Sequence, residues 1–422
     1  MLRNHGGGHA PVSNLELFFD LVYVFAVTQL SHFIGHHPGW LGFLQGVILF
    51  LGVWWVWIYT VWVTNWANPD RLPIRLLILA LMFLSLIMAI AMPEAFAGKA
   101  LLFAGCYIAL QLGRSVVMAI VLRHEAQSRL RNMARISCYF IASAPLWLAG
   151  AWLGGVAQIA LWLAALAIEY AGPLTMFATP VLGRSTTGDW DISGSHMAER
   201  CSLFIIIALG EGIVVSGAAM LDGVLSADRY AALFIAFAGS AVVWWLYFDI
   251  GAERGARLIS GHEQAGRIAR NAYTYLHMPI VLGIVIFAVG DSLLMENWTG
   301  KAEHPLILTQ LGGAVLFLVG LAYFKRYSTT NHNFPFSHGL AIALNLVLAL
   351  IGSTFPVPAL LYAELCVAIL LVTAVWEWGS YHGGWMERME ARGWKFGNTL
   401  RSRYETRQAQ RERQHSPESG TS

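Results

Sequence analysis

Charge is what this chain has least of. Only 12% of its 422 residues are Asp, Glu, Lys or Arg, against 57% hydrophobic, and the mean hydropathy is +0.56. A composition so poor in charge excludes an ordinary soluble domain and points to a polytopic membrane protein. The formal net charge is +2, so no basic surplus exists to hold nucleic acid. Cysteine is scarce as well: Cys106, Cys138, Cys201 and Cys366 are scattered through apolar runs without a CxxC or other paired spacing. They read as reduced packing residues rather than a disulfide or metal framework. No HExxH, Walker, GxSxG or dinucleotide fingerprint occurs in a suitable context, so no cofactor and no metal is expected. The first apolar run lacks a small-residue cleavage site and is expected to be a retained helix rather than a signal peptide.

What is present is a series of long apolar runs. A helix needs about 20 mostly apolar residues to cross a bilayer, and about twelve such segments fit. They lie near 16–35, 41–64, 73–96, 100–122, 135–154, 157–180, 197–220, 229–250, 271–293, 305–324, 338–355 and 358–378. The expected fold is therefore an all-α transmembrane bundle. Loops after even-numbered spans carry most of the Arg and Lys, from Arg71 to Arg326, whereas the odd-numbered loops offer only Lys99, Arg229 and Lys301. By the positive-inside rule both termini are expected in the cytoplasm. The tail 379–422 has eight Lys/Arg against five acids, including Trp385 and Trp394 near its start. It is expected to rest on anionic lipid, or to serve only as a solubilising and topology-fixing tail.

The sequence also suggests an internal duplication. ELFFDLVYVFAVTQL from Glu16 and ERCSLFIIIALGEGI from Glu199 share an opening glutamate and an apolar run, 183 positions apart. The next span in each half carries a tryptophan pair, Trp54-Trp55 and Trp244-Trp245. A weaker match relates AIEYAG around Glu169 to VWEWGS around Glu377. The division expected is a tail 1–15, a six-helix repeat 16–180, a linker 181–195, a second six-helix repeat 196–378 and the basic tail 379–422. Six is even, so the halves would be parallel, related by an axis along the membrane normal.

Several polar residues stand out within these runs. Glu16 completes a capping-box pattern with Ser13 at a helix start. Asp20, one turn deeper on the same face, is too far in to be a cap. Glu199 and Arg200 repeat the helix-start pattern and, with Glu16, are read as interface anchors. Glu211 is different: twelve residues past Glu199 places it roughly 18 Å along the helix, near the bilayer centre. A carboxylate there costs about 3 kcal/mol on insertion scales, which makes it a candidate proton, ion or substrate site. Gly210 and Gly212 flank it, consistent with a bent or broken helix or with a close helix crossing. Glu169 lies within the sixth span, before Gly172 and Pro173, where the helix is expected to soften. Arg114 is the embedded arginine and is expected to pair with an acid, Glu169 first, with Asp20 or Glu211 as rivals. Asp249, His277, Asn345 and Glu364 complete the set. His32 and His36 have a metal-compatible spacing, yet without a further ligand they read as interfacial histidines, and the tryptophans as belts or packing.

These segments resemble the two signatures of the bacterial low temperature requirement A (LtrA) family, whose members typically show LFFDLVFVFAI in the first helix and ERFGLF…LGE in a central one. Cys201-Ser202 departs from the common Phe-Gly and leaves the charged positions untouched. The resemblance implies a bacterial inner-membrane protein linked by name to growth in the cold, with Glu16, Phe18, Phe19, Asp20, Glu199, Arg200, Gly210 and Glu211 as recurrent residues. It implies no substrate. The expected activity is a proton- or cation-coupled secondary transporter or permease, with Glu211 and Asp20 facing one another between the halves. The alternatives are an intramembrane enzyme on a lipid or isoprenoid, using Glu211, Asp20 and Arg114, and a non-catalytic sensor or scaffold.

Overall fold

Alternating runs of apolar residues and short polar breaks produce a bundle of helices. The chain is described by a computed structural model covering residues 3, 11–123, 127–186, 192–221, 226–252, 255, 259, 265–328, 334–382 and 393. Among the described residues twelve helices are long and apolar enough to cross a bilayer, and no strand is present. They are α1 (Asn14–His36), α2 (Trp40–Trp66), α3 (Leu72–Ala91), α4 (Ala100–Leu122), α5 (Gln127–Leu153) and α6 (Gly155–Leu174). The second set is α7 (Gly194–Ala219), α8 (Ala227–Tyr247), α9 (His277–Glu296), α10 (His304–Tyr327), α11 (Phe336–Thr354) and α12 (Ala359–His382). A short helix Ala265–Ile268 and a π-helical stretch Ala269–Tyr275 lead into α9, and a second π-helical turn, Phe248–Ala252, follows α8. Residues 383–392 and 394–422 of the basic tail, with Trp385 and Trp394, and linker residues 187–191 lie outside the described residues.

Local chemistry sets the helix starts. Ser13 and Glu16 form the full capping box of α1, Ser193 caps α7 through the His196 N–H, and Ser226 caps α8 through the Arg229 N–H. Prolines occupy the first turn of α3 and α10, where the missing N–H costs nothing. The sixth helix ends earlier than its apolar run suggested. Pro173 removes a backbone donor, and after Leu174 the chain turns through Met176 and Phe177 at φ 56° and 49°. The Phe177 N–H then returns to the Gly172 carbonyl at 2.7 Å. The expected softened helix is thus a helix end closed by a left-handed turn.

Burial places α2 and α9 at the centre. They are the two most enclosed spans, whereas α5, α6 and α11 show much of their surface. Phe83 and Phe234 are about two-thirds exposed, as lipid-facing side chains should be. Trp54, Trp55, Trp57, Trp66, Trp147 and Trp162 are fully buried, so these rings are packing rather than interface belts. Trp54 meets Trp57 at 5.1 Å and Trp147 meets Trp162 at 4.9 Å between centroids. Close backbone approach holds α9 to α10: a Cβ on Gly283 would lie 2.5 Å from the Phe317 nitrogen, and one on Gly313 would lie 2.6 Å from that of Phe287.

Candidate functional site

Helices α1 and α7 run side by side in the same direction, joined by polar contacts between residues about 180 positions apart. At their starts lies a sealed ionic cluster. Glu16 accepts from Arg3 (2.7 Å) and from the Ser13 amide (2.9 Å), and His196 Nε2 lies 2.8 Å from its Oε1. Asn65 fixes that imidazole: its side-chain amide donates to the Ser193 carbonyl and to His196 Nδ1, at 2.8 and 3.2 Å. Nδ1 is then the acceptor and Nε2–H the donor to Glu16. Arg200 donates to Asp20 at 2.6 Å and lies 3.3 Å from Glu16 Oε1, while Trp57 donates to the same Asp20 oxygen at 2.9 Å. Glu16, Asp20, His196 and Arg200 are all buried. Arg200 is therefore the counter-ion of Asp20 inside the protein, and the neighbouring Glu199 is half-buried.

Further along the same seam, Glu211 meets α1. Thr28 donates to its Oε2 at 2.6 Å and Ser31 to its Oε1 at 2.5 Å. Each hydroxyl has one hydrogen and a second acceptor within reach: the Val24 carbonyl for Thr28 (3.1 Å) and the Thr28 carbonyl for Ser31 (3.0 Å). Among the described residues Glu211 takes part in no ion pair, unlike Glu16 and Asp20. From Asp20 to Ser31 is roughly 16 Å along α1. Asp20 and Glu211 consequently do not face one another; they sit at separate levels of one interface.

The two glycines of α7 have different surroundings. The helix is continuous through both, so of the alternatives expected there a break is absent. No atom comes within 4 Å of a Cβ built on Gly210, whereas one on Gly212 would lie 3.0 Å from Ser240 Oγ and 3.5 Å from Asp291 Oδ2. Asp291 on α9 is buried, accepts from Gln310 at 3.2 Å through one oxygen, and has no hydrogen-bond partner on the other. A cleft of about 10 Å³ lies between Gly212, Ser240 and Asp291, close to the space one water needs. Asp291 was missed in the sequence because it falls near the end of the ninth apolar run. The signal available was Gly290-Asp291, the same glycine-carboxylate pairing as Gly210-Glu211.

A third group lies in the first half. Glu169 accepts from Ser143 (2.6 Å), from Trp147 (3.0 Å) and from the Tyr107 hydroxyl. Gln111 donates to Tyr107 at 3.2 Å and accepts from Arg114, which also donates to the Val56 carbonyl and Thr60 Oγ1, each at 3.1 Å. The expected direct Arg114–Glu169 pair is not made. One helical turn separates Tyr107 from Gln111, and these neutral groups fill the space between the charges. Irregular backbone, one of the alternatives considered at Gly210 and Gly212, occurs at Ala269–Tyr275, where Thr274 accepts from Trp54 through its carbonyl and from Trp62 through its hydroxyl.

In the second half, Lys325 and His338 flank Glu377 of VWEWGS, His338 at 3.1 Å. His277 donates from Nδ1 to the Ala272 carbonyl and so accepts from Tyr247, both at 2.8 Å. Asn345 is buried against Cys366, Asp249 lies in the π-helical turn after α8, and Glu364 is exposed. No three His, Cys, Asp or Glu side chains group as metal ligands among the described residues.

Both glutamate-led segments, the first eleven spans and most of the twelfth fall within residues 11–375, which match the family described as bacterial low temperature requirement A protein (LtrA). The chain belongs to the LtrA family. This LtrA protein is also 36% identical over 381 residues to an uncharacterized protein of Rhizobium meliloti (strain 1021), covering 89% of this chain and 91% of the relative. No solved structure matches it.

Proposed function

We propose that this LtrA protein is a secondary transporter in which Glu211 exchanges a proton as α1 moves against α7. The observation that carries the reading is the pair of hydroxyls at Glu211. When the carboxylate is charged, Thr28 and Ser31 both donate to it and hold α1 against α7. When it is protonated, it needs fewer donors, and each hydroxyl can turn to its α1 carbonyl, 3.0 to 3.1 Å away. One proton thus changes how tightly the two helices are joined, at a level where unpaired charge is costly. The cleft at Gly212 and Asp291 supplies a second carboxyl across α7. The constant spacing of about 180 residues along the seam supports an arrangement in two parallel halves, whose relative movement would alternate access.

An intramembrane enzyme would need its acid, base and anion-binding groups together at a reachable site. Asp20, Glu211 and Arg114 instead lie in three separate groups, and the Glu16–Asp20–His196–Arg200 cluster is closed and internally paired. That cluster is read as the fixed end of the seam, about which the Glu211 end moves.

The test is reconstitution in proteoliposomes with an internal pH indicator, screening solutes for those that move protons with them. The wild-type chain is expected to couple the two fluxes. Glu211→Gln, which keeps size and polarity, should still exchange solute but carry no proton. Unchanged proton movement in that variant overturns the assignment.

A further inference from the structure

Two buried charges stand without a direct ion pair, and they differ in what answers them. A cavity of about 50 Å³ opens beside Arg114. That arginine donates to Gln111, Gln111 to Tyr107 and Tyr107 to Glu169, so an acid answers it through a neutral relay. Asp291 on α9 has no such answer. It is 2% exposed and takes part in no ion pair among the described residues. No Lys, Arg or His lines the cleft it faces, whose remaining wall is apolar, with Leu209, Val243, Ile284 and Phe287.

The carboxyl is held with one oxygen spoken for and one free. Gln310 on α10 donates its amide to Oδ1 at 3.2 Å, a contact that suits the charged form, and Oδ2 has no partner in the protein. Oδ2 lies 3.5 Å from the place a Cβ on Gly212 would occupy, and Ser240 Oγ lies 3.0 Å from that same place. The absent side chain of Gly212 is thus what leaves room between α7, α8 and α9. One turn further along the same face of α7, the buried Ser216 hydroxyl also lacks a partner. An unpaired carboxylate at this depth is expensive. A water in the cleft would donate to it without cancelling its charge.

We infer that this cleft binds one dehydrated monovalent cation of about sodium's size. Asp291 Oδ2 is its charged ligand and Ser240 Oγ a neutral one. Carbonyls of Ala208 and Leu209, which line the cleft with no Gly212 side chain in the way, complete the oxygen shell. Size and charge select the ion. The cleft, about 10 Å³, has room for one water-sized body and none for a hydrated ion. One carboxylate balances one positive charge, whereas magnesium would bring several waters with it. This site goes beyond the proton exchange at Glu211 and does not rest on it: Glu211 faces α1, and the cleft opens on another face of α7.

The full chain in neutral detergent tests the site by thermal unfolding, with choline chloride replaced by sodium or potassium chloride at constant ionic strength, and by equilibrium dialysis of radiolabelled sodium. Sodium should raise the midpoint saturably, and potassium should need at least about a tenfold higher concentration for half the effect. Asp291→Asn should abolish the sodium response. Ser240→Ala and Gly212→Ala, the second narrowing the cleft, should each weaken sodium about tenfold and serve if Asp291→Asn does not fold. Equal responses to sodium, potassium and choline overturn the site, as does an unchanged sodium response in Asp291→Asn or in both of the other variants. A midpoint that follows pH but ignores sodium also overturns it, in favour of a water beside a protonated Asp291. Saturable sodium binding without solute flux leaves the site standing and overturns the transport reading alone.

Discussion

Asp20 and Arg200 meet at 2.6 Å with neither exposed, and at the scale of single residues this pair decides how the seam tolerates change. Removing the cation leaves two buried carboxyls, Asp20 and Glu16, short of a partner, a loss of about 3–5 kcal/mol. Arg200→Gln should accordingly lower the thermal midpoint in detergent sharply. Adding Asp20→Asn should recover part of the loss, because the second change removes the charge the first stranded. A sum of independent losses in that double variant would show that the pair is not coupled. Glu16, Asp20, Arg200 and Glu211 were each legible as special from the expense of burying them. Their partners were not, because a partner on another helix leaves no trace in local spacing. Arg114 shows this most clearly: a nearby acid was the natural inference, and Tyr107 and Gln111, both ordinary in sequence, stand in between.

At the scale of elements, α7 carries two glycines that look equivalent in LGEGI and are not. Nothing approaches Gly210, so Gly210→Ala should be neutral or stabilising by up to about 1 kcal/mol through helix propensity. Gly212 faces Ser240 and Asp291, so Gly212→Val fills the cleft between α7, α8 and α9 and should remove proton coupling while the chain still folds. Flux and thermal midpoint measured on both variants check this. An active Gly212→Val would show the cleft to be incidental. Helix existence was legible because twenty-residue apolar runs leave no alternative in a bilayer, where backbone groups must bond internally. The irregular stretch Ala269–Tyr275 was not legible, since its wider turn is sustained by Trp54 and Trp62 of another helix.

For the whole molecule, the distribution of Lys and Arg among the loops argues that both termini share the cytoplasmic side. A fluorescent-protein fusion at the C-terminus should therefore glow, and an alkaline phosphatase fusion there should be inactive. Deleting residues 386–422 tests whether the basic tail carries the function. The transport reading expects flux to persist after the deletion, whereas a sensor or scaffold acting through the tail would lose its effect.

The sequence by itself determined that this is an α-helical membrane protein of twelve spans in the LtrA family, because hydropathy, helix length and two distinctive segments are local properties. It also marked the carboxylates too deep to be caps. Only the tertiary structure decided which of these are clamped by cations and which are held by neutral donors. It also decided that a cavity of about 50 Å³ opens beside Arg114. Charge compensation and free volume arise between helices distant in the chain, and no single stretch of residues encodes either.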